Sequence, residues 1–123
     1  MAKKILIVDD DPTSNTLVSF LLKSHGFDTV VASDGDIGLN KVNSENPDLI
    51  ILDITMPNMD GFTFLSEMKA RKGDMIPPVI MLTAKESFEE IFKMEGVVGY
   101  FVKPLDSDKF LKCVRSCFSQ DAD

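Results

Sequence analysis

ILIVDDDP, residues 5–12, runs four apolar side chains straight into three carboxylates and a proline. An unbroken apolar run of this length, closed by a turn signal, reads as a strand buried on both faces, as in a parallel sheet. Three adjacent acids at its end repel one another and cost stability unless a cation lies close by. A positive group from elsewhere in the chain is therefore expected beside them.

Working outward, four more short apolar runs follow: Thr29 to Ala32, Leu49 to Leu52, Val79 to Leu82 and Tyr100 to Val102. Segments with helical spacing separate them. Asp11 can cap a first helix with Pro12 at its first position; Leu17, Phe20 and Leu21 give it an apolar face, and Gly26 ends it. A second helix is expected over Ile37 to Asn43, before Pro47. A third spans about Phe62 to Lys72, with Phe62, Leu65 and Met68 on one side and Gly73, Pro77 and Pro78 closing it. A fourth, short, covers about Glu86 to Met94 with Phe88, Ile91 and Phe92 at i, i+3, i+4. A fifth starts near Ser107 and buries Phe110, Val114 and Cys117 or their neighbours. Five strands alternating with five helices predict an α/β, doubly wound, five-stranded parallel sheet, and the order 2-1-3-4-5 is common for such chains. That order makes strands 1 and 3 neighbours and puts a ligand crevice beyond their carboxyl ends.

The totals fit this picture. At 123 residues and 44% hydrophobic, the chain suits one domain, 1–123, with its core over about 4–118. A formal net charge of -7 argues against general attraction to nucleic acid or to an anionic membrane surface. No apolar run approaches the roughly 20 residues that span a bilayer, and the N-terminus lacks a signal-peptide pattern, so a cytoplasmic protein is expected. Cys113 and Cys117, with His25 as the sole histidine, do not make a disulfide framework or a four-ligand zinc site. The two cysteines read as small buried residues of the last helix, and His25 as a dipole partner at a helix C-terminus.

The chemistry gathers at one rim. Asp9, Asp10 and Asp11 follow strand 1, Asp53 follows strand 3, Thr83 ends strand 4 and Lys103 follows strand 5. Each comes immediately after an apolar run, so the fold delivers them all to the same edge. Oxygen donors without imidazole or thiolate select Mg²⁺ or a similar hard ion such as Mn²⁺. Asp10 and Asp53 are the expected direct ligands, Asp9 acts directly or through water, and Asp11 is better used as the helix cap. Lys103 is the expected offset to the repulsion among the acids.

ILIVDDD, DITMPNMDG, LTA and YFVKP, in that order and at nearly the usual spacing, resemble the motifs of the CheY-like response-regulator receiver domains of two-component signalling, from about Lys4 to Phe118. The resemblance implies that Asp53 is the phosphoryl acceptor. It implies that Asp9, Asp10, Asp53 and the backbone carbonyl of Thr55 hold the metal, and that Thr83 and Lys103 bind phosphoryl oxygens with room left by Ala84. Tyr100 falls at the aromatic switch position, coupled to Thr83, and the Lys103–Pro104 bond is usually cis in the family. Thr55 and Lys85 fall at positions that tune the lifetime of the phosphoryl group; neither is a water-orienting acid or amide, so loss of the group is expected not to be especially fast. Implied partners are a histidine kinase or histidine phosphotransfer protein as donor and a downstream protein reached through the face of helix 4, strand 5 and helix 5. Direct nucleic-acid and membrane contacts are not expected, and homodimerisation on phosphorylation is a further implication.

On this resemblance the chain is expected to be a stand-alone receiver that catalyses its own phosphorylation and dephosphorylation, rather than an enzyme acting on a separate substrate. Between Thr83 and Gly96 it has about two residues fewer than many receivers, which predicts a short or irregular fourth helix, with Phe88 and Phe92 either docking partners or packing inward. Two other readings stand beside it. An Mg²⁺-dependent phosphatase of the haloacid-dehalogenase kind also uses an aspartyl nucleophile, but has a second acid two residues on, where this chain has Thr55. A receiver fold that takes no phosphoryl group would act as a constitutive binding module.

Overall fold

The computed structural model describes residues 2–118. Its elements run β1 (Lys4–Val8), α1 (Pro12–Ser24), β2 (Asp28–Ala32), α2 (Gly35–Glu45), β3 (Leu49–Leu52), α3 (Gly61–Lys72), β4 (Val79–Thr83), α4 (Glu89–Met94), β5 (Gly99–Val102) and α5 (Ser107–Ser116). All five strands pair in parallel in the order β2-β1-β3-β4-β5. The expected fold class and strand order are both found.

Alternation along each central strand explains why the apolar runs are unbroken. Leu6, Val8, Ile50, Leu52, Val79 and Met81 face one core, packed with Leu39 and Val42 of α2, Phe64, Leu65 and Met68 of α3, and Phe92 of α4. Ile5, Ile7, Leu49, Ile51, Ile80 and Leu82 face the other, packed with Val18 and Leu22 of α1 and Phe110, Leu111 and Val114 of α5. Each fully buried side chain of this size contributes roughly 1.5–3 kcal/mol by leaving water. A sheet so covered on both sides holds its strand ends in fixed positions.

Four helices start on an aspartate whose carboxylate accepts a first-turn backbone N–H: Asp11 from Thr13, Asp34 from Ile37, Asp60 from Thr63 and Asp106 from Lys109. Each such cap is worth about 1 kcal/mol. Asp34 therefore starts α2 at Gly35, two residues before the expected Ile37. Helix α4 starts at Glu89, with Phe88 at the cap position and no side-chain cap, and has six residues, three fewer at its start than expected.

Two helix faces differ from expectation. In α1 the buried residues are Asn15, Val18 and Leu22, whereas Leu17 is 64% and Phe20 73% exposed. The face that meets the sheet is thus rotated from the one read from Leu17, Phe20 and Leu21. In α4, Phe92 is fully buried and Phe88 packs against that core, but Ile91 is exposed. Phe62 stacks on Phe92 at 4.2 Å between ring centroids and meets Phe88 edge-on. Phe92 of α4 and Phe88 at its cap position therefore pack inward. Cys113 and Cys117 are half-buried beside the second core, Cys117 just past the end of α5. His25 lies at the α1 C-terminus with Nδ1 2.9 Å from the Leu21 carbonyl oxygen. Among the described residues, no helix is long and apolar enough to cross a membrane.

Candidate functional site

The acidic site begins where three strands still hold their neighbours. The Asp9 N–H donates to the Ala32 carbonyl at 3.1 Å, the Asp53 N–H to Val8 at 3.0 Å and the Lys103 N–H to Thr83 at 2.8 Å. Each side chain thus leaves a backbone anchored one residue past the end of its strand. Carboxylate oxygens of Asp9, Asp10 and Asp53 come within 4.8 Å of one another. Asp9 and Asp53 are buried and Asp10 is exposed.

The cation demanded by the acids is Lys103. Its Nζ lies 2.8 Å from Asp9 Oδ2 and 3.8 Å from Asp53 Oδ2, although Asp9 and Lys103 are 94 residues apart in sequence. The Lys103–Pro104 peptide bond is cis. Asp11 stands outside the group: its Oδ1 accepts the Thr13 N–H and its own N–H donates to Asp9 Oδ1, both at 3.0 Å.

Asp53 sits in opposing fields. Burial raises its carboxyl above the usual carboxylate range and the Asp9 charge adds to this; the Thr83 hydroxyl, the Lys103 ammonium and the Ile54 N–H favour the charged form. The Ile54 N–H donates to Asp53 Oδ1 at 2.7 Å. Thr83 is fully buried at the end of β4, and its hydroxyl oxygen accepts the Lys85 N–H at 3.2 Å. Thr55, Ala84 and Lys85 are exposed in the loops on either side of these residues. Tyr100 is half-buried, and its hydroxyl donates to the Lys85 carbonyl. Lys85 is thereby bonded on both sides of its Cα, through its N–H to Thr83 and through its carbonyl to Tyr100.

The loop after β3 closes tightly beneath Asp53. Gly61 donates its N–H to the Ile54 carbonyl at 2.7 Å, and a Cβ added there would lie 2.7 Å from the Asp53 carbonyl oxygen and 3.0 Å from Ile54 Cα. Only glycine allows backbone to approach backbone so closely. Asn58, at φ 70°, makes the left-handed turn within the same loop.

This donor set fits a hard divalent cation. Three carboxylates against one ammonium leave two negative charges on close oxygens. No imidazole or thiolate joins them, since His25 ends α1 and the cysteines lie in and just past α5. The Asp10 carboxylate makes no hydrogen bond or ion pair with the described residues, so it is available as a ligand. One site residue escaped the sequence reading: Asn15, buried, whose Nδ2 donates to the Asp9 carbonyl at 2.7 Å. Its signal was a polar residue in register with Val18 and Leu22, at i, i+3, i+7.

The chain matches the response regulator receiver domain family over residues 5–115. It is 41% identical over 106 residues to the alkaline phosphatase synthesis transcriptional regulatory protein PhoP of Bacillus subtilis, covering 85% of this chain and 43% of that protein. The chain spans about half the length of the curated relatives it matches. Among solved structures, chemotaxis protein CheY4 of Vibrio cholerae superposes with a TM-score of 0.85 at 32% identity, over 95% of this chain and 99% of that one. CheY in the CheX-CheY-BeF3-Mg²⁺ complex of Borrelia burgdorferi gives 0.85 at 36% identity, over 94% and 89%.

Proposed function

The chain belongs to the response-regulator receiver family, and on that premise we propose that Asp53 accepts a phosphoryl group from a phosphohistidine of a histidine kinase or histidine phosphotransfer protein. The observation that carries this reading is Lys103 Nζ held between Asp9 and Asp53, with Asp10 open beside them. An Asp53 carboxylate oxygen forms a bond to phosphorus as the phosphorus–nitrogen bond of the donor breaks, and the departing imidazole keeps the bond's electron pair. A carboxylate is a weak nucleophile toward phosphorus unless the charge on the transferring oxygens is neutralised. Lys103 takes one of those oxygens and the Thr83 hydroxyl another, while the Ile54 N–H keeps the acceptor carboxylate oriented. Asp9, Asp10, Asp53 and the Thr55 carbonyl hold Mg²⁺, which supplies the remaining positive charge when bound. A solved relative carrying BeF3 and Mg²⁺ supports this assignment.

Signal leaves through Lys85, bonded by its N–H to Thr83 and by its carbonyl to Tyr100. A phosphoryl group on Asp53 draws the Thr83 hydroxyl toward it and away from the Lys85 N–H, and Lys85 in turn holds the Tyr100 hydroxyl. The face that responds is built from α4, β5 and α5. Ile91, Met94, Val98 and Val102 are exposed there, with Glu89 and Glu90 on α4 and Lys109, Lys112 and Arg115 exposed on α5. Opposite charges on the two helices flanking an apolar edge strand suit either a downstream protein or a two-fold pair of phosphorylated chains. Thr55 and Lys85 flank the path of hydrolytic water and set how long the group persists.

Incubation with Mg²⁺ and acetyl phosphate, followed by intact-mass measurement, tests this reading. One stable phosphoryl group per chain, absent in Asp53→Asn and in EDTA, is expected. Continuous release of phosphate over many turnovers favours a phosphatase instead. No addition under any condition leaves only a binding module.

A further inference from the structure

Asn15 is buried in the first turns of α1, between Pro12 and Val18, where the packing against the sheet calls for an apolar side chain. Its Nδ2 bonds the Asp9 carbonyl, and its Oδ1 is buried with no hydrogen-bond partner among the described residues. The orientation of the amide is fixed chemically, because turning it over would set oxygen against carbonyl oxygen. A buried acceptor without a donor works against folding, and an apolar side chain of similar size avoids that burden. Packing therefore does not account for an amide here; the bond to Asp9 does.

That bond grips the peptide joining Asp9 to Asp10. The Asp9 side chain is held independently by Lys103 and by the Asp11 N–H. The Asp10 carboxylate has no such support, so its position depends on the plane of the peptide behind it. We propose that Asn15 is a positioning residue for the acidic cluster, locking the Asp9–Asp10 peptide so that Asp10 meets a divalent cation already in place. The inference rests on the reading of Asp9, Asp10 and Asp53 as the cation site. Without the Asn15 amide, the Asp9 carbonyl must turn toward water to find a donor, and the rotating peptide carries Asp10 with it. Groups behind the ligands of a metal typically govern its affinity by ten- to a hundredfold, and a group acting through the backbone belongs near the lower end, about tenfold.

The test compares wild type with Asn15→Leu by thermal unfolding in EDTA and by ¹H–¹⁵N NMR titration with MgCl2. In the variant the unpaired buried acceptor, Asn15 Oδ1, disappears, which offsets the bond the Asp9 carbonyl loses as it turns toward water, so the melting temperature should stay close to that of wild type. Mg²⁺ affinity should fall about tenfold, and phosphorylation by acetyl phosphate should recover at saturating Mg²⁺. Asn15→His, with Nδ1–H at the branch position of the lost amide and the groove of about 580 Å³ between α1 and β2 beside it, should restore most of the affinity. In wild type the Asn15 side-chain amide resonances should shift as Mg²⁺ binds, a readout that does not depend on any variant folding. Equal affinity in wild type and Asn15→Leu overturns the inference, as does an Asn15 amide that Mg²⁺ leaves unmoved or an Asn15→His no better than Asn15→Leu. A wild type that binds no Mg²⁺ brings down the cation site itself and the inference with it.

Discussion

Replacing Lys103 by methionine keeps the length of the stem and deletes the ammonium. At an effective dielectric of about 20, charges 2.8 Å and 3.8 Å apart attract by about 6 and 4 kcal/mol, and the Asp9 and Asp53 oxygens, within 4.8 Å, repel by at least about 3.5 kcal/mol. These gross figures exceed the net effect, because the Lys103 side chain is 22% exposed and water fills the space it leaves. Breaking a buried pair from one side usually costs about 3–5 kcal/mol, and allowing for that exposure leaves about 2–3 kcal/mol. Urea unfolding near neutral pH in EDTA should show that loss. Two further conditions separate charge from packing. Mg²⁺ should shrink the deficit, since it replaces one positive charge by two. Acid should shrink it as well: burial holds the folded Asp53 carboxyl above its ordinary value, so the folded state binds that proton more tightly than the unfolded chain does. The burden of the ionised form is complete above the folded-state value and is relieved as pH falls through it toward the ordinary carboxylate range. A loss below about 1 kcal/mol, or one indifferent to both Mg²⁺ and acid, would refute the electrostatic account of the site.

Gly61→Ala should cost about 1–3 kcal/mol and impair acceptance of a phosphoryl group, because the added methyl meets backbone that cannot give way; denaturant titration alongside intact-mass measurement checks both effects, and a stable variant of normal reactivity contradicts the close approach. Phe92→Ala should lose about 3–5 kcal/mol in the same titration, since the ring is fully buried and stacked on Phe62. Tyr100→Phe removes only the bond to the Lys85 carbonyl and should cost at most about 1 kcal/mol, while the NMR shifts that phosphorylation of Asp53 produces in α4 should become smaller; full-sized shifts would show that the hydroxyl plays no part in transmission.

Residues at strand ends were the most legible in the sequence. Leu49 to Leu52 is an unbroken apolar run because both faces of the sheet are covered, and Asp53 had to be the first residue beyond it. Asp9 and Lys103 were readable for the same reason. Helix faces were harder. The buried stripe of α1 contains Asn15, and its polarity hid the register in favour of Leu17 and Phe20, which point to solvent. The start of α4 was misplaced because Glu86 to Phe88 have helical composition, whereas the Tyr100 hydroxyl holds the Lys85 carbonyl just before them and no side chain caps the helix. The Asp34 cap of α2 was legible in principle, three residues ahead of Ile37. The Asn15 bond to Asp9 was not, because nothing local marks which carbonyl a buried amide will meet.

The 94-residue separation between Asp9 and Lys103 also bears on synthesis. A polypeptide leaving the ribosome exposes its first aspartates 94 residues before their balancing ammonium, so every intermediate that stops short of Lys103 carries the acids without their counterweight. Chemistry that needs all of them waits for translation to pass β5, and a product terminated before Lys103 is silent by construction.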